Sequence, residues 1–303
     1  MIKKLILFIF NIDYRRYILV NKGYYRILDD KKVIDYLFKY KIGRTVNWDN
    51  PMTFNEKLQW IKVYDRNPLY TRLVDKINAK NYVREMIGDE YIIPTIGVYN
   101  SFDEIPFDLL PDRFVIKCNH DSGGVVICED KKKMNYESVK KKIEKSLKRN
   151  FFWVSREWAY KDITPRIVVE EYLKEVSECS VPEYKIFCFD GKAKMIDICM
   201  GKAHTEERTN DYCDLELNRL PFTSLLPNSN IELKKPKNYD LMISLAEKLS
   251  AGFPEVRMDF YNINGKIYFG EFTFTHNAGM ERFEPIEWDY KIGEWVNLPR
   301  MEN

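Results

Sequence analysis

One hairpin in the last fifth of the sequence holds the residue types most able to do chemistry. Residues 256–275 alternate between apolar and polar side chains and are predicted to form two strands. The polar positions include Arg257 and Asp259 on the first strand and Glu271 on the second. Carboxylate oxygens held by rigid strands beside a fixed cation suit a Mg²⁺ ion that itself carries phosphates. The alternative is an amphipathic hairpin with a solvated polar face.

The length of the connecting turn decides whether these side chains meet. A two-residue turn at Asn264-Gly265 would leave Asp259 and Glu271 on opposite faces of the hairpin. A three-residue loop, residues 263–265, would place Glu271 opposite Arg257 and on the same face as Asp259. We therefore expect the three-residue loop.

A glycine-containing loop between two short strands could bind phosphate groups. Lys117 lies on the strand predicted at 114–118, and Ser122-Gly-Gly124 precedes a second strand at 125–128. Backbone N–H groups of such a loop can bind an anion, which Lys117 could also reach. The pattern is neither a P-loop nor a dinucleotide-binding turn. Taken alone, a plain surface hairpin explains it better.

Charged residues also occur on two segments that are otherwise apolar. Glu170 and Glu171 end the strand predicted at 166–173, and a buried carboxylate needs a partner. Lys185 shares a strand face with Phe187 and Phe189. A lysine in that position indicates an anion site more often than a solvated side chain.

The bulk composition restricts the class of protein. The chain has 303 residues with 45% hydrophobic and 31% charged side chains, which is ordinary for a globular protein. A net charge of +2 gives no reason to expect nucleic acid as a partner. The six cysteines show no CxxC spacing, so we expect reduced thiols and a cytoplasmic protein. Nothing in the sequence indicates an oligomeric state.

The N-terminal segment Met1–Phe10 combines two lysines with a short apolar run. The run is too short for a secretory signal or for spanning a bilayer. We favour a first core helix over a helix that lies weakly on the inner face of a membrane beside Arg15 and Arg16.

The features taken in order resemble the ATP-grasp superfamily, and in detail its TupA-like branch, similar to teichuronopeptide-biosynthesis proteins. The ordered series is Lys117, the glycine loop, Glu170-Glu-Tyr-Leu173, Lys185, Arg257-x-Asp259 and Glu271-x-Thr273. Supporting phrases include Phe54-Asn-Glu-Lys-Leu-Gln-Trp60, Asp75-Lys76, Pro165-Arg-Ile167 and Phe269-Gly-Glu-Phe-Thr-Phe-Thr275, within residues 50 to 290.

The resemblance implies an α+β ATP-grasp fold in which two α+β lobes grip ATP, preceded by a helical segment. The corresponding division is a helical region at 1–72, the N-terminal and lid part at 73–172, and the C-terminal lobe with the metal-binding hairpin at 173–303.

The resemblance also implies a role for each matching residue in binding ATP and Mg²⁺. Residues expected to contact the nucleotide are Lys76, Lys80, Lys117, the lid residues Ser122, Gly123 and Gly124, the hinge residues Glu170, Glu171, Tyr172 and Leu173, Glu178 (or Glu175) at the ribose, and Lys185. The expected metal ligands are Asp259, Glu271 and Thr273, and the expected catalytic residues are Arg257 and Lys185.

Three positions depart from the superfamily pattern. Thr273 stands where asparagine is usual, which puts its role as a metal ligand in doubt. The His276-Asn277 loop replaces a proline- and glycine-rich segment, and Asp121 stands where glycine is commoner. The substrate end of the site and the lid are therefore expected to differ from close relatives.

The implied activity is that of an ATP-dependent carboxylate–amine ligase. ATP would phosphorylate a carboxylate and an amine would displace the phosphate, with a small molecule or a cell-surface polysaccharide or its sugar-acid precursor as substrate. A glycosyltransferase of capsule or lipopolysaccharide synthesis is the first alternative, although Asp211 and Asp214 are three apart and form no DxD motif. A nucleotide- or sugar-binding protein without ligase activity is the second. We expect Asp259→Ala and Glu271→Ala to abolish ligase activity without disturbing the fold.

Overall fold

The computed structural model describes residues 2–121, 123–173, 182–201 and 207–300 of the chain. Two antiparallel sheets are combined with helices, so the expected α+β class is confirmed. Glu175 and Glu178 of the expected ribose site, and Ser122 of the expected lid, lie outside the described residues.

The first part of the chain is helical, as expected. The helices are α1 (Ile2–Phe10), α2 (Ile12–Asn21), α3 (Asp30–Ile42), α4 (Phe54–Tyr64), α5 (Pro68–Val74) and α6 (Lys76–Ile87). A capping box starts α4, because the Thr53 hydroxyl accepts from the Glu56 amide and the Glu56 carboxylate accepts from the Thr53 amide. Asp75 caps α6 in a similar way.

A four-stranded sheet follows, in the order β1-β4-β2-β3. Its strands are β1 (Thr95–Tyr99), β2 (Phe114–Cys118), β3 (Val125–Cys128) and β4 (Ile167–Glu171). Helix α7 (Tyr136–Leu147) covers one face, where Phe114, Ile116 and Ile143 are fully buried. Lys117 and Glu170 lie on the other face because side chains alternate along each strand. The short helix α8 (Phe152–Ser155) connects α7 to β4.

A five-stranded sheet holds the hairpin, in the order β7-β6-β5-β8-β9. Its strands are β5 (Glu183–Phe189), β6 (Lys192–Met200), β7 (Thr209–Cys213), β8 (Glu255–Ile263) and β9 (Lys266–Thr273). Helices α5, α6 and α9 (Tyr239–Ser250) pack on one face of this sheet. The core between them includes Met242 of α9 and Met258 and Phe260 of β8. Helix α4 and the segment with α10 (Glu287–Gly293) pack on part of the other face.

The hairpin β8–β9 closes with a two-residue turn, so the expected three-residue loop is wrong. Ile263 pairs with Lys266, and the turn residues Asn264 and Gly265 have positive φ angles of 52° and 92°. Asparagine and glycine adopt this left-handed conformation at low cost, and two such residues match the twist of the flanking strands.

A β-bulge at Gly270 brings the acidic residues together despite that turn. Phe260 pairs with Phe269, but the next residue along β8, Asp259, pairs with Glu271. The extra residue on β9 changes the face on which the following side chains lie. Phe269 is therefore in the core while Glu271 is on the opposite face.

The N-terminal helix α1 is not a core helix, which corrects our expectation. Its apolar side chains are largely exposed, among them Leu5, Ile6, Leu7, Ile9 and Phe10, the last at 82%. The nearby helices α2 and α3 have a small core of their own around Val20, Val33 and Phe38. In the described part of the chain, no helix is long and apolar enough to cross a bilayer.

Candidate active site

Polar side chains form a row across four neighbouring strands of the larger sheet. Asp197 on β6 pairs with Lys185 on β5, Lys185 pairs with Asp259 on β8, and Asp259 pairs with Glu271 on β9. Paired residues of an antiparallel sheet point to the same face and lie about 5 Å apart. The row therefore brings three carboxylates and one ammonium group to one surface of the sheet.

Arg257 holds Asp259 with two parallel hydrogen bonds. Arg257 Nε and one of its terminal nitrogens donate to the two Asp259 carboxylate oxygens, both at 2.7 Å. Both side chains are buried. Burial raises the pKa of Asp259 to about 7, although Arg257 opposes that rise. Because Asp259→Ala would leave Arg257 buried without this partner, we now expect that variant to destabilise the fold.

Glu271 faces outward from the same row and is the more accessible carboxylate. Its oxygens lie 3.7 Å from Arg257 on one side and 3.7 Å from Lys76 Nζ on the other. Thr273, two residues further along β9, pairs with Arg257. We expected Glu271 in that position opposite Arg257. The arrangement offers a divalent cation oxygen ligands from Asp259 and Glu271, with Thr273 nearby.

A protein-only metal site is absent from the part of the chain that the structure describes. No group of three or more His, Cys, Asp or Glu residues there could hold an ion. Mg²⁺ commonly binds through one or two carboxylates and completes its shell with water and substrate phosphates. Two neighbouring carboxylates beside three cations therefore fit Mg²⁺ that arrives with phosphates.

A second charged cluster lies on the four-stranded sheet. Lys117 Nζ and Lys80 Nζ each lie 2.6 Å from a different oxygen of Glu170. Burial raises the pKa of Glu170, but Lys117 and Lys80 outweigh burial and hold this pKa at about 2. The partner that the buried carboxylate was expected to need is thus a pair of lysines. Either lysine could exchange this contact for a phosphate.

Helix α6 connects the two clusters. Lys80 reaches Glu170, while Lys76, one helical turn earlier, contacts Glu271 and donates to the Asp121 carbonyl at 2.7 Å. Residues four apart lie about 6 Å from each other on a helix surface. The lysines of one helix face therefore contact both charged clusters, one on each sheet.

The glycine loop binds its own aspartate in this structure. The amides of Gly123 and Gly124 donate to Asp121 Oδ1 at 3.4 and 3.0 Å, and the Ser146 hydroxyl donates to Asp121 Oδ2. A phosphate could bind these amides only if it replaced the Asp121 carboxylate. The aspartate at position 121, where glycine is commoner in the superfamily, therefore occupies the loop amides that a phosphate would otherwise bind.

The remaining hinge residues lie beside Glu170 without joining the cluster. Glu171 is exposed, and its amide donates to the Pro94 carbonyl at 3.0 Å. Tyr172 lies beneath the Arg113 guanidinium, 5.7 Å from the ring centre, and Leu173 is half-buried. The structure therefore brings the side chain of Glu170 to Lys80 and Lys117, whereas the side chain of Glu171 is not brought to these lysines.

Two groups of contacts in the site were not predicted from the sequence. Glu183 binds Arg208 at 2.8 Å and Lys185 at 3.4 Å, so a carboxylate outside the row holds the Lys185 side chain. His276 Nδ1 accepts from Arg257, while its Nε2 contacts Glu281. A guanidinium N–H can only donate, so the neutral ring carries its proton on Nε2. Both groups depend on contacts between distant segments, which leave no local pattern in the sequence.

Helix α4 holds the loop that carries His276. Asn55 exchanges two hydrogen bonds with the Glu281 backbone, at 2.7 and 2.9 Å. Gln59 donates to the Gly279 carbonyl, and Lys62 donates to the Ala278 carbonyl at 2.9 Å. These contacts explain why Asn55 and Gln59 occur in the phrase Phe54–Trp60. They fix the loop in which Ala278 has a left-handed φ of 58°.

Comparison with known proteins identifies a family. A family model described as TupA-like ATPgrasp matches residues 56–297 of the chain. No curated protein sequence is significantly similar to the chain.

Several solved structures are similar in fold. The D-alanine–D-alanine ligase from Bacillus anthracis complexed with ATP is 18% identical with a TM-score of 0.38, and the match covers 72% of this chain and 57% of the ligase. A D-cycloserine synthetase is 13% identical with a TM-score of 0.41 and coverages of 75% and 71%. An ADP complex of N5-carboxyaminoimidazole ribonucleotide synthetase is 12% identical with a TM-score of 0.41 and coverages of 81% and 56%. The chain thus spans less than two thirds of the first and third of these proteins.

Proposed function

The chain belongs to the TupA-like ATP-grasp family, and on that premise we propose that it is an ATP-dependent carboxylate–amine ligase. The observation that carries the proposal is the convergence of Asp259, Glu271, Arg257 and Lys185 on one sheet face, next to lysines of helix α6. These side chains can bind a metal–triphosphate and neutralise its charge. The side of Lys185 that faces away from Asp259 is then left for the acceptor substrate.

The reaction would proceed in two steps. A carboxylate oxygen of the acceptor attacks the terminal phosphorus of ATP, and ADP leaves with an acyl phosphate formed. An amine then bonds to the acyl carbon, the bond from that carbon to the phosphate oxygen breaks, and phosphate leaves. The protein supplies no nucleophile, because positioning and charge neutralisation lower both barriers.

Each charged residue has a proposed role in these steps. Lys117 and Lys80 would bind the nucleotide phosphates in exchange for Glu170, and Gly123 and Gly124 would cover them. Arg257 would stabilise the transferred phosphoryl group, and Lys185 would bind an inner phosphate. Bound Mg²⁺, held by Asp259 and Glu271 with Thr273 alongside, would neutralise charge on the phosphate oxygens.

A polysaccharide precursor is the proposed substrate class. The support is the similarity of this family to proteins of teichuronopeptide synthesis, which implies a sugar acid as the carboxylate and an amino compound as the amine. This support is an analogy between relatives rather than a feature of the site.

The activity can be tested with purified protein and Mg-ATP. Hexuronic acids, free and as nucleotide sugars, would be combined with a panel of amino acids and amino sugars, and ADP release measured. A ligase releases ADP only when a carboxylate and an amine are both present. Hydrolysis or transfer of a nucleotide sugar without ATP would instead favour a glycosyltransferase, and nucleotide binding without any turnover would favour a binding protein.

The glycosyltransferase alternative has no support at the two aspartates considered for it. Asp211 is buried and binds Arg219 at 2.7 Å, and Asp214 accepts from the amides of Glu216 and Asn218, both at 2.9 Å. Both carboxylates are therefore already engaged in contacts within the chain.

We also propose that helix α1 contacts the surface of a membrane. Its exposed apolar side chains lie in a segment, residues 2–28, that carries six basic residues and one acidic residue. Apolar side chains flanked by basic ones favour the interface of an anionic bilayer. Co-sedimentation with vesicles of phosphatidylcholine and phosphatidylglycerol should fall strongly for Phe10→Glu, whereas binding of the unchanged protein to pure phosphatidylcholine should be weak. Equal binding by both proteins would contradict this.

A further inference from the structure

Two buried oxygen atoms next to the polar row accept no hydrogen bond from the described part of the chain. They are Asp197 Oδ1 on β6 and Asn210 Oδ1 on the edge strand β7. Asp197 is completely buried, at 0% exposure. A buried acceptor without a donor costs free energy, and a buried carboxylate costs more. Both atoms are therefore suited to receive hydrogen-bond donors, and a donor from outside the chain reaches them when a side chain that covers them moves.

The orientation of these two side chains follows from their other contacts. Asn210 Nδ2 donates to Asp197 Oδ2 at 2.9 Å, and Cys199 Sγ donates to the same oxygen at 3.3 Å. Turning the Asn210 amide over would put its oxygen against the carboxylate, so the observed orientation is the favourable one. Asn210 Oδ1 and Asp197 Oδ1 thus remain as the acceptors.

The order of strands places these acceptors beyond the proposed phosphate site. Strand β9 with Glu271 is the edge nearest α6 and the four-stranded sheet, as the Lys76–Glu271 contact and the Ile92–Phe269 bridge indicate. From that edge the row runs through Asp259 and Lys185 to Asp197. Neighbouring strands are about 4.8 Å apart, so Asp197 lies about 10 Å from Asp259 on the side away from α6. A second substrate must occupy that side if ATP enters from the α6 side.

The charges around Asp197 indicate which donor suits it. Lys185 lies opposite Asp197 on β5 but makes its ion pair with Glu183 at 3.4 Å. Burial raises the pKa of Asp197, and the positive charge of Lys185 opposes that rise. A cation in contact with Oδ1 would offset the cost of burying this carboxylate. An ammonium group supplies both the charge and several N–H donors, whereas a hydroxyl supplies one donor and no charge.

We propose that Asp197 and Asn210 form the subsite for the primary amine that the ligase joins to its carboxylate, an inference that depends on the proposed function. An ammonium group binding there lies across Lys185 from Asp259, the proposed metal ligand at which the phosphoryl transfer takes place. It passes one proton to the Asp197 carboxylate. Its nitrogen then bonds to the acyl carbon while the carbon–oxygen bond to phosphate breaks, and the second proton leaves with the phosphate.

A binding experiment tests the subsite without knowledge of the natural amine. The thermal unfolding midpoint is measured with Mg²⁺ and a non-hydrolysable ATP analogue, with ethylammonium chloride or tetramethylammonium chloride added at equal concentrations. We expect ethylammonium to raise the midpoint and tetramethylammonium, which has no N–H, to leave it unchanged. Asp197→Asn should lose the ethylammonium response and keep the nucleotide response. Glu247→Gln, a carboxylate-to-amide change on helix α9, which packs on the other face of the sheet, should keep both.

A kinetic experiment measures the size of the effect with any amine that supports ADP release. Asp197→Asn should raise the KM for that amine by about tenfold to a hundredfold, because a hydrogen bond to a charged group is lost. The KM for ATP should change by less than about twofold. If Asp197→Asn does not fold, Asn210→Ser, at a partly exposed position, should raise the amine KM alone by a smaller factor.

The outcomes separate this inference from the proposed function. A midpoint that rises with the nucleotide but not with ethylammonium, or an Asp197→Asn protein that keeps its ethylammonium response, overturns the amine subsite only. A wild type that fails to bind Mg²⁺ and nucleotide overturns the proposed function. In that case the comparison of ethylammonium with tetramethylammonium still decides whether the subsite exists. Equal increases in KM for amine and ATP would indicate a structural role and overturn the subsite.

Discussion

Asp259 and Glu271 lie directly opposite each other on β8 and β9, although the turn that joins these strands would by itself place them on opposite faces. The extra residue at Gly270 makes the difference. The Asp259–Glu271 pair is therefore a product of a bulge rather than of the turn, and the candidate metal site depends on an irregularity in the sheet.

Glu271→Gln should weaken binding of Mg-ATP by at least about tenfold, because the substitution removes a carboxylate ligand from the proposed metal site. The Glu271 side chain is 37% exposed and fills no core position, so the unfolding midpoint should change little. Titration calorimetry with and without Mg²⁺ measures the affinity. The matched control is Glu232→Gln, at an exposed pair with Lys234. Unchanged affinity in Glu271→Gln would remove Glu271 from the site.

Gly270→Ala should destabilise the hairpin and lower affinity for Mg-ATP. A Cβ atom at Gly270 would lie 3.0 Å from the Asp259 carbonyl oxygen, so the strands would have to move apart at the metal site. We expect a loss of about 1–3 kcal/mol in the free energy of unfolding, measured by urea denaturation. Gly123→Ala is the control for stability, since nothing lies within 4 Å of its added Cβ atom. An unaffected Gly270→Ala protein would mean that the bulge tolerates a side chain.

The stability of the protein should depend on Glu170 in a pH-dependent way. Its pKa in the folded protein is about 2, below the ordinary value of 4.5, so ionisation of Glu170 favours the folded state. A difference of this size corresponds to about 3 kcal/mol, fully present above about pH 5 and lost as the pH falls towards 2.

Urea denaturation of the wild type and Glu170→Gln at pH 7 and pH 3 measures this contribution. The variant should be less stable at pH 7, and the difference between the two proteins should shrink at pH 3. Glu171→Gln, at the exposed position next to Glu170, is the matched control for the substitution. A difference that is equal at both pH values would show that the two lysines do not control this carboxylate.

The loop held by α4 should respond in opposite directions to substitutions at two neighbouring positions. Ala278 has a φ of 58°, which costs an ordinary residue about 1 kcal/mol, so Ala278→Gly should stabilise the protein by up to about that amount. In Gly279→Ala, the new Cβ atom would lie 2.3 Å from Gln59 Nε2 and 2.9 Å from Leu58 Cβ, so the loop should shift and stability should fall. Thermal unfolding measures both. If both variants were destabilised equally, the left-handed conformation of Ala278 would not be strained.

Strand alternation in the sequence predicted the face on which Lys185 lies, and the resemblance to a known family implied the class of fold and most residues of the charged clusters. Alternation is a local property, since it acts over a few residues. The spacing of the apolar residues on β9 also indicated the bulge, although we did not use it to predict one. Core residues Phe269 and Phe272 are three apart, where a regular strand requires an even step.

The tertiary structure alone decided which charged residues are partners. Lys80 and Lys117 share Glu170, whereas Lys76 contacts Glu271, and no sequence pattern distinguishes these lysines. The same holds for the His276–Arg257 contact, which joins segments positioned by α4. Such contacts depend on the packing of distant elements, whose relative positions follow from the whole core rather than from any local run of residues.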